Sequence, residues 1–139
     1  MEARAAAKYV LISPRKARLA ATLIQGRPVN EAMAVLKYTP KKGAAMISKV
    51  LGAAIANAID VEGTGKLDPD TLFVKSACID PGPIMPRWRS RAFGRASRIR
   101  KRLSHIRIVV TTETPRALKG TRKVRNLEKA HATKKKAKK

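Results

Sequence analysis

Apolar positions along this chain come in short groups, set off by proline, glycine and capping residues. Ala3 to Ile12 ends in Tyr9-Val10-Leu11-Ile12, a run that predicts a strand. Ser13-Pro14 then reads as a helix start, with serine at the cap and proline in the first turn. Ala17, Ala20, Leu23 and Ile24 supply its apolar stripe, and Gly26 with Pro28 ends it. A short second helix is expected from Asn30 through Glu31, Ala32, Val35 and Leu36. Thr39-Pro40 repeats the cap-and-proline device and predicts a longer third helix, where Ile47, Val50, Leu51, Ala54, Ile55 and Ala58 keep helical spacing. Gly63-Thr64-Gly65 breaks that helix, and Asp68-Pro69-Asp70 extends the loop. Two strands follow, Thr71 to Ile79 and His105 to Thr112. In the second, Ile106, Ile108 and Val110 alternate with Arg107, Val109 and Thr111, as a half-buried strand requires.

The fold class this predicts is α+β: a small three-stranded antiparallel sheet packed with three helices. A core of this size buries one modest hydrophobic layer. Residues 1–114 read as a single domain. Between the last two strands lies a long insert, about residues 83–102, whose default form is a protruding β-hairpin. With arms of about ten residues it stands roughly 30 Å beyond the sheet. Its tip is expected near Arg87 to Ser90, with Arg91, Arg95 and Arg98 on the returning arm. An isolated ribbon of this length is marginal in water, so order is expected only in a binding site. Residues 115–139 are poor in apolar side chains and end in a lysine-rich run, a basic tail expected to be disordered when free.

Charge changes the picture most. The chain carries 32 lysines and arginines against 9 aspartates and glutamates, a net charge of +23. The excess is +5 over residues 1–82, +8 over 83–102 and +10 over 115–139. In the insert stand Arg87, Arg89, Arg91, Arg95, Arg98, Arg100, Lys101 and Arg102, with no acidic residue among them. Such a segment repels itself and calls for a polyanion on several sides. Arginine prevails over lysine there, and the planar guanidinium suits bidentate phosphate contacts. Trp88 and Phe93 have two readings: stacking on unpaired bases, or packing across the hairpin on Ile84, Met85 or Ile99. Arg15, Lys16 and Arg18 near one helix start, and Lys41 and Lys42 at another, read either as phosphate ligands or as ordinary exposed faces. Structured RNA is the partner these features fit best.

Other chemistry is excluded or weak. One cysteine, Cys78, forbids an internal disulfide, fits a reducing compartment and reads as a small core residue of a strand. No long apolar run suits a membrane span, and no signal or transit peptide is evident, so a cytoplasmic location is expected. His105 has no neighbouring nucleophile and reads as structural. Asp68, Asp70 and Asp80 sit among turn residues, where capping explains them. No triad, metal-ligand pattern or phosphate-binding glycine loop appears, so no enzyme activity, metal or cofactor is expected. The rival classes are a nucleoid-type DNA-binding protein, which would dimerise and carry apolar wedges at a ribbon tip, and a cationic membrane-active protein, for which the insert lacks an amphipathic apolar face.

Several of these stretches together resemble a known family. They are Lys49-Val50-Leu51, Ala53 to Ala58, Asp80-Pro81-Gly82-Pro83, Arg91-Ala92-Phe93-Gly94-Arg95-Ala96 and Ser104-His105-Ile106-Arg107-Ile108-Val109-Val110. Ser13, Lys16, Arg18, Leu19 and Tyr38-Thr39 with Lys41-Lys42 extend the likeness, which covers about residues 5 to 112. The chain resembles the bacterial large-subunit ribosomal proteins of the L-twenty-two family. That resemblance implies a body near the outer mouth of the nascent-peptide exit tunnel, a role in subunit assembly, and a hairpin that threads RNA and lines the tunnel with its tip. The implied partners are large-subunit ribosomal RNA, neighbouring large-subunit proteins and the nascent polypeptide, with no membrane and no homo-oligomer. Pro86 departs from the family by standing where a basic residue is expected.

Overall fold

A computed structural model describes residues 1–62 and 68–113. The expected Gly63-Thr64-Gly65 helix break and the tail from Pro115 onward lie outside the described residues.

Three strands and three helices form two layers. The order is β1 (Glu2–Val10), α1 (Pro14–Ile24), α2 (Val29–Tyr38), α3 (Lys42–Glu62), a 3₁₀ turn (Pro69–Thr71), β2 (Phe73–Ser90) and β3 (Ala96–Thr111). The sheet is antiparallel in the order β1-β3-β2, so the β3 residues Ile106, Ile108 and Val110 lie at its centre, all at or below 1% exposure. They face Ile47, Leu51, Ala54 and Ala58 of α3 and Ala17, Ala20, Ala21 and Ile24 of α1. Alanines at these helix positions keep the layers close, since a small side chain lets backbone approach sheet. The other sheet face stays open, as antiparallel sheets allow.

The α+β prediction holds, with local corrections. The first strand ends at Val10, and Leu11 to Ser13 form a bend instead of continuing it. Tyr9 there has φ 57°, an irregularity in the β1–β3 ladder between Ala7 and Val10. The buried stripe of α1 is Ala17, Ala20, Ala21 and Ile24, an i, i+3, i+4, i+7 set, which turns Leu23 outward at 40% exposure. Ser13 precedes α1 without a side-chain capping bond. Thr39 closes α2 instead of opening α3. Its N–H bonds the Leu36 carbonyl, and its hydroxyl bonds the Val35 carbonyl at 2.6 Å. Lys42–Val61 has the length and hydropathy of a membrane span, contrary to the expectation that no long apolar run suits one. In the fold its apolar face lies against the sheet and the other helices.

Cys78 is exposed, not in the core. The reason is a bulge: Val74 pairs with Val110 and Ser76 with Val109, leaving Lys75 as an extra residue. The alternation flips there. Val74, Ala77 and Ile79 point inward, and Cys78 falls opposite Arg107 on the open face.

The outer edge of β2 is covered by α1 and the turn after it. Arg18 donates from Nε and Nη2 to the Ile79 carbonyl at 3.1 and 2.9 Å, and Gln25 donates to the Ala77 carbonyl at 3.0 Å. The Gly26 N–H bonds the Val74 carbonyl, and the Val74 N–H bonds the Arg27 carbonyl. An edge strand left open would present these groups to another chain.

Candidate nucleic-acid interface

The two strands of the body do not stop where the insert begins. β2 and β3 run on as one ribbon, paired from Ile84↔Arg102 to Ser90↔Ala96. The paired arm from Ile84 to Ser90 is about 23 Å long. The cross-strand register is compatible with the charge the ribbon carries. The pairs are Ile84↔Arg102, Met85↔Lys101, Pro86↔Arg100, Arg87↔Ile99, Trp88↔Arg98 and Arg89↔Ser97. Each holds one cation and one uncharged residue, so no two like charges stand directly opposed, an arrangement that would destabilise the ladder. Pro86, which departs from the family, fits the ladder opposite Arg100.

The hairpin tip is Arg91 to Arg95, further along than the expected Arg87 to Ser90. The Arg95 N–H bonds the Ala92 carbonyl, and the Arg91 N–H bonds the Arg95 carbonyl at 2.8 Å. Phe93 and Gly94, at φ 57° and 64°, are the central residues of a type I′ turn. Phe93 holds the left-handed conformation at some cost in strain and is 96% exposed. Trp88 is 67% exposed. The Phe93 ring does not pack across the hairpin, and the Trp88 residue is two-thirds open to solvent.

A second bulge marks the hairpin root. Pro81 pairs with Ser104 and Ile84 with Arg102, so Gly82 and Pro83 oppose Leu103 alone. A Cβ on Gly82 would lie 3.2 Å from His105 Nε2 and from Leu103 backbone and side-chain atoms. Glycine eases that close approach. His105 is structural, as expected: its Nδ1 accepts the Tyr9 N–H at 3.1 Å, and the two rings meet edge to face. Asp80 pairs with Arg107 at 2.6 Å, Asp70 with Asn30, and the Asp68 carbonyl holds the Thr71 hydroxyl.

The helix starts converge on this root. The buried Ser104 hydroxyl donates to the Ile12 carbonyl. Ile12 in turn packs on Gly43 at the start of α3, where an added Cβ would lie 3.3 Å from the Ala17 backbone of α1. The start of α1, with the exposed Arg15 and Lys16, thereby packs against the start of α3, which has the exposed Lys41 just before it and Lys42 as its first residue. Arg18 differs from its neighbours, since its guanidinium is engaged with β2. Among the described residues the ion pairs are Arg27–Glu31, Lys75–Glu2 and Arg107–Asp80, all in the body. Arg89, Arg95, Arg98, Arg100, Lys101 and Arg102 have no acidic partner among them. Arg87 bonds only the adjacent Pro86 carbonyl, and Arg91 the Ser97 hydroxyl.

Two cations escaped the sequence reading. Lys37 and Lys49 line, with Lys41, a groove of about 490 Å³ between α2 and α3, floored by Met33 and Leu36. The seven-residue spacing of Lys42 and Lys49, two turns on one helix face, was the signal for Lys49. No group of three or more His, Cys, Asp or Glu among the described residues is placed to hold a metal.

Residues 5–111 match the family described as ribosomal protein L22p/L17e. The chain belongs to this family. It is 57% identical over 110 residues to the large ribosomal subunit protein uL22 of Maridesulfovibrio salexigens, covering 79% of this chain and 97% of that protein. The uL22 of Halothermothrix orenii is 53% identical over 111 residues, 80% of this chain and 96% of its own length. That of Leptospira biflexa is 52% identical over 111 residues, 80% and 94% respectively. The L22p/L17e match spans every strand and helix described above except the first residues of β1. The chain is thus a structural ribosomal protein and not an enzyme, and its place is the ribosome, in the cytoplasm.

Proposed function

We propose that this L22p/L17e protein is a constituent of the large ribosomal subunit that binds ribosomal RNA, supports subunit assembly and lines the nascent-peptide exit tunnel with its hairpin tip. The observation that carries the reading is a 23 Å ribbon (about, at strand rise) bearing Arg87, Arg89, Arg98, Arg100, Lys101 and Arg102 with no acid on either arm. Exposed arginines without partners are suited to phosphate, and burying the ribbon in RNA removes their mutual repulsion. The exposed Arg15, Lys16, Lys41 and Lys42 extend the basic surface to the root, where RNA meets the body. Residues 1–114 act as one domain with its hairpin at 83–102, and 115–139 serve as a basic arm. The partners are large-subunit RNA, neighbouring subunit proteins and, at the tip, the nascent polypeptide, whereas the protein itself stays monomeric.

The test separates arm from tip. One variant joins Ser90 to Ala96 through Asn-Gly in place of Arg91–Arg95. The other changes Arg98, Arg100 and Arg102 to alanine. A charge-assisted contact is worth about 1.5–3 kcal/mol, so the arm variant loses most of its occupancy in purified large subunits, though the three need not add. The tip variant incorporates but alters nascent-chain stalling. Normal incorporation of the arm variant with loss of the tip variant would reverse the assignment.

A further inference from the structure

We infer that one face of the hairpin is a site for unpaired nucleotides, stacked along Ile84, Pro86 and Trp88 and held at their phosphates by Arg98, Arg100 and Arg102. The inference rests on the RNA-binding reading above and names the kind of RNA.

The two faces of the ribbon differ in a way that only the register reveals. Directly paired residues share a face, and alternate pairs share the same one. On the first face lie Ile84↔Arg102, Pro86↔Arg100 and Trp88↔Arg98. In these three pairs every cation is on β3, and every apolar side chain is on β2. On the opposite face, Met85↔Lys101, Arg87↔Ile99 and Arg89↔Ser97 put cations on both strands. The first face is thus split lengthwise into an apolar row and a cationic row; the second is mixed. Ile84 is 41% exposed and Trp88 67%, so the apolar row is open to a ligand. Past Trp88 the next pair on this face is Ser90↔Ala96, both small, which leaves the ring uncrowded toward the tip.

This layout matches a single strand of RNA laid along the ribbon. Bases present apolar faces on one side of a strand and phosphates on the other. Side chains two residues apart on one strand are about 7 Å apart, roughly twice the stacking rise of about 3.4 Å. A base plane therefore fits between neighbouring members of the row. The cationic row lies about 4.8 Å away on the paired strand, within arginine reach of the phosphates. A duplex hides its base faces and would use only the cations. Arg98, Arg100 and Arg102 have no acidic partner among the described residues, so nothing in the body competes for them.

Trp88 is the chain's only tryptophan, so tryptophan emission, excited selectively over that of Tyr9 and Tyr38, reports on this row alone. The experiment titrates the protein with a single-stranded RNA of about ten nucleotides and with a blunt duplex of equal length, following tryptophan emission and, in parallel, anisotropy of labelled RNA. The single strand is expected to quench the emission and the duplex to leave it nearly unchanged, while both bind. Trp88→Ala should cost single-strand affinity about tenfold and duplex affinity little. Arg87→Ala with Arg89→Ala, on the mixed face, should weaken both ligands alike and spare the quenching. If both RNAs bind without quenching, or Trp88→Ala weakens them equally, the stacking site is refuted while RNA binding stands. If neither RNA binds, both readings fall. Emission that answers to an unstructured peptide and not to RNA would give the row to a polypeptide and overturn the inference.

Discussion

Arg18→Ala should lower the stability of the free protein by about 1–2 kcal/mol. Arg18 belongs to a cluster of cations that reads, in sequence, as one phosphate-binding group with Arg15 and Lys16. In the fold its guanidinium donates twice to the carbonyl of Ile79, at 3.1 and 2.9 Å. That carbonyl lies on the outer edge of β2, with no further strand to receive it. A hydrogen bond from a charged donor is worth about 1.5–3 kcal/mol, and leaving a buried acceptor unmet adds to the loss. Arg18 is exposed, however, so water can reach the freed carbonyl, and the estimate belongs at the low end. For a domain of this size, about 1–2 kcal/mol moves Tm by roughly 5–10 °C. The assay is thermal unfolding without RNA, beside an RNA-binding titration run well below Tm. Arg87→Ala is the comparison: it should leave Tm unchanged, because its guanidinium bonds only the adjacent Pro86 carbonyl, yet weaken RNA binding. An Arg18→Ala protein with unchanged Tm and an RNA defect as large as that of Arg87→Ala would refute the brace and return Arg18 to the phosphate ligands.

Three further outcomes are expected. Ile108→Ala, fully buried at the centre of β3, should cost about 2–5 kcal/mol in denaturant unfolding, against little for Cys78→Ala on the open face. Gly82→Ala, whose Cβ would meet Leu103 and His105 at 3.2 Å, should cost about 1–3 kcal/mol and speed amide exchange at the hairpin root, where an unchanged rate at Tyr9 would count against the contact. Deleting residues 115–139, with their net +10, should flatten the log affinity–log salt slope by about 0.7–0.9 for each phosphate no longer neutralised, with preference for cognate RNA retained; loss of that preference would make the tail the specific reader.

What the sequence determined by itself is whatever depends on near neighbours along the chain. Proline after a serine, alanine and isoleucine at helical spacing, and alternation through Ile106, Ile108 and Val110 fix three helices and three strands, because these signals act within a turn or two of backbone. Charge segregation is equally local: eight cations with no acid between Pro83 and Arg102 imply a polyanion whatever the fold. The tertiary structure decided what depends on pairing between distant residues. One extra residue at Lys75 moves Cys78 from the core to the open face, since slipping a strand by one reverses every side chain beyond it. The same cross-strand register seats each hairpin cation opposite an uncharged partner and sorts one face into an apolar and a cationic row. Arg18 looks like its neighbours until β2, 61 residues away, brings it a carbonyl. A side chain's chemistry can be read from the sequence, but its partner is chosen by the packing of elements far apart in the chain.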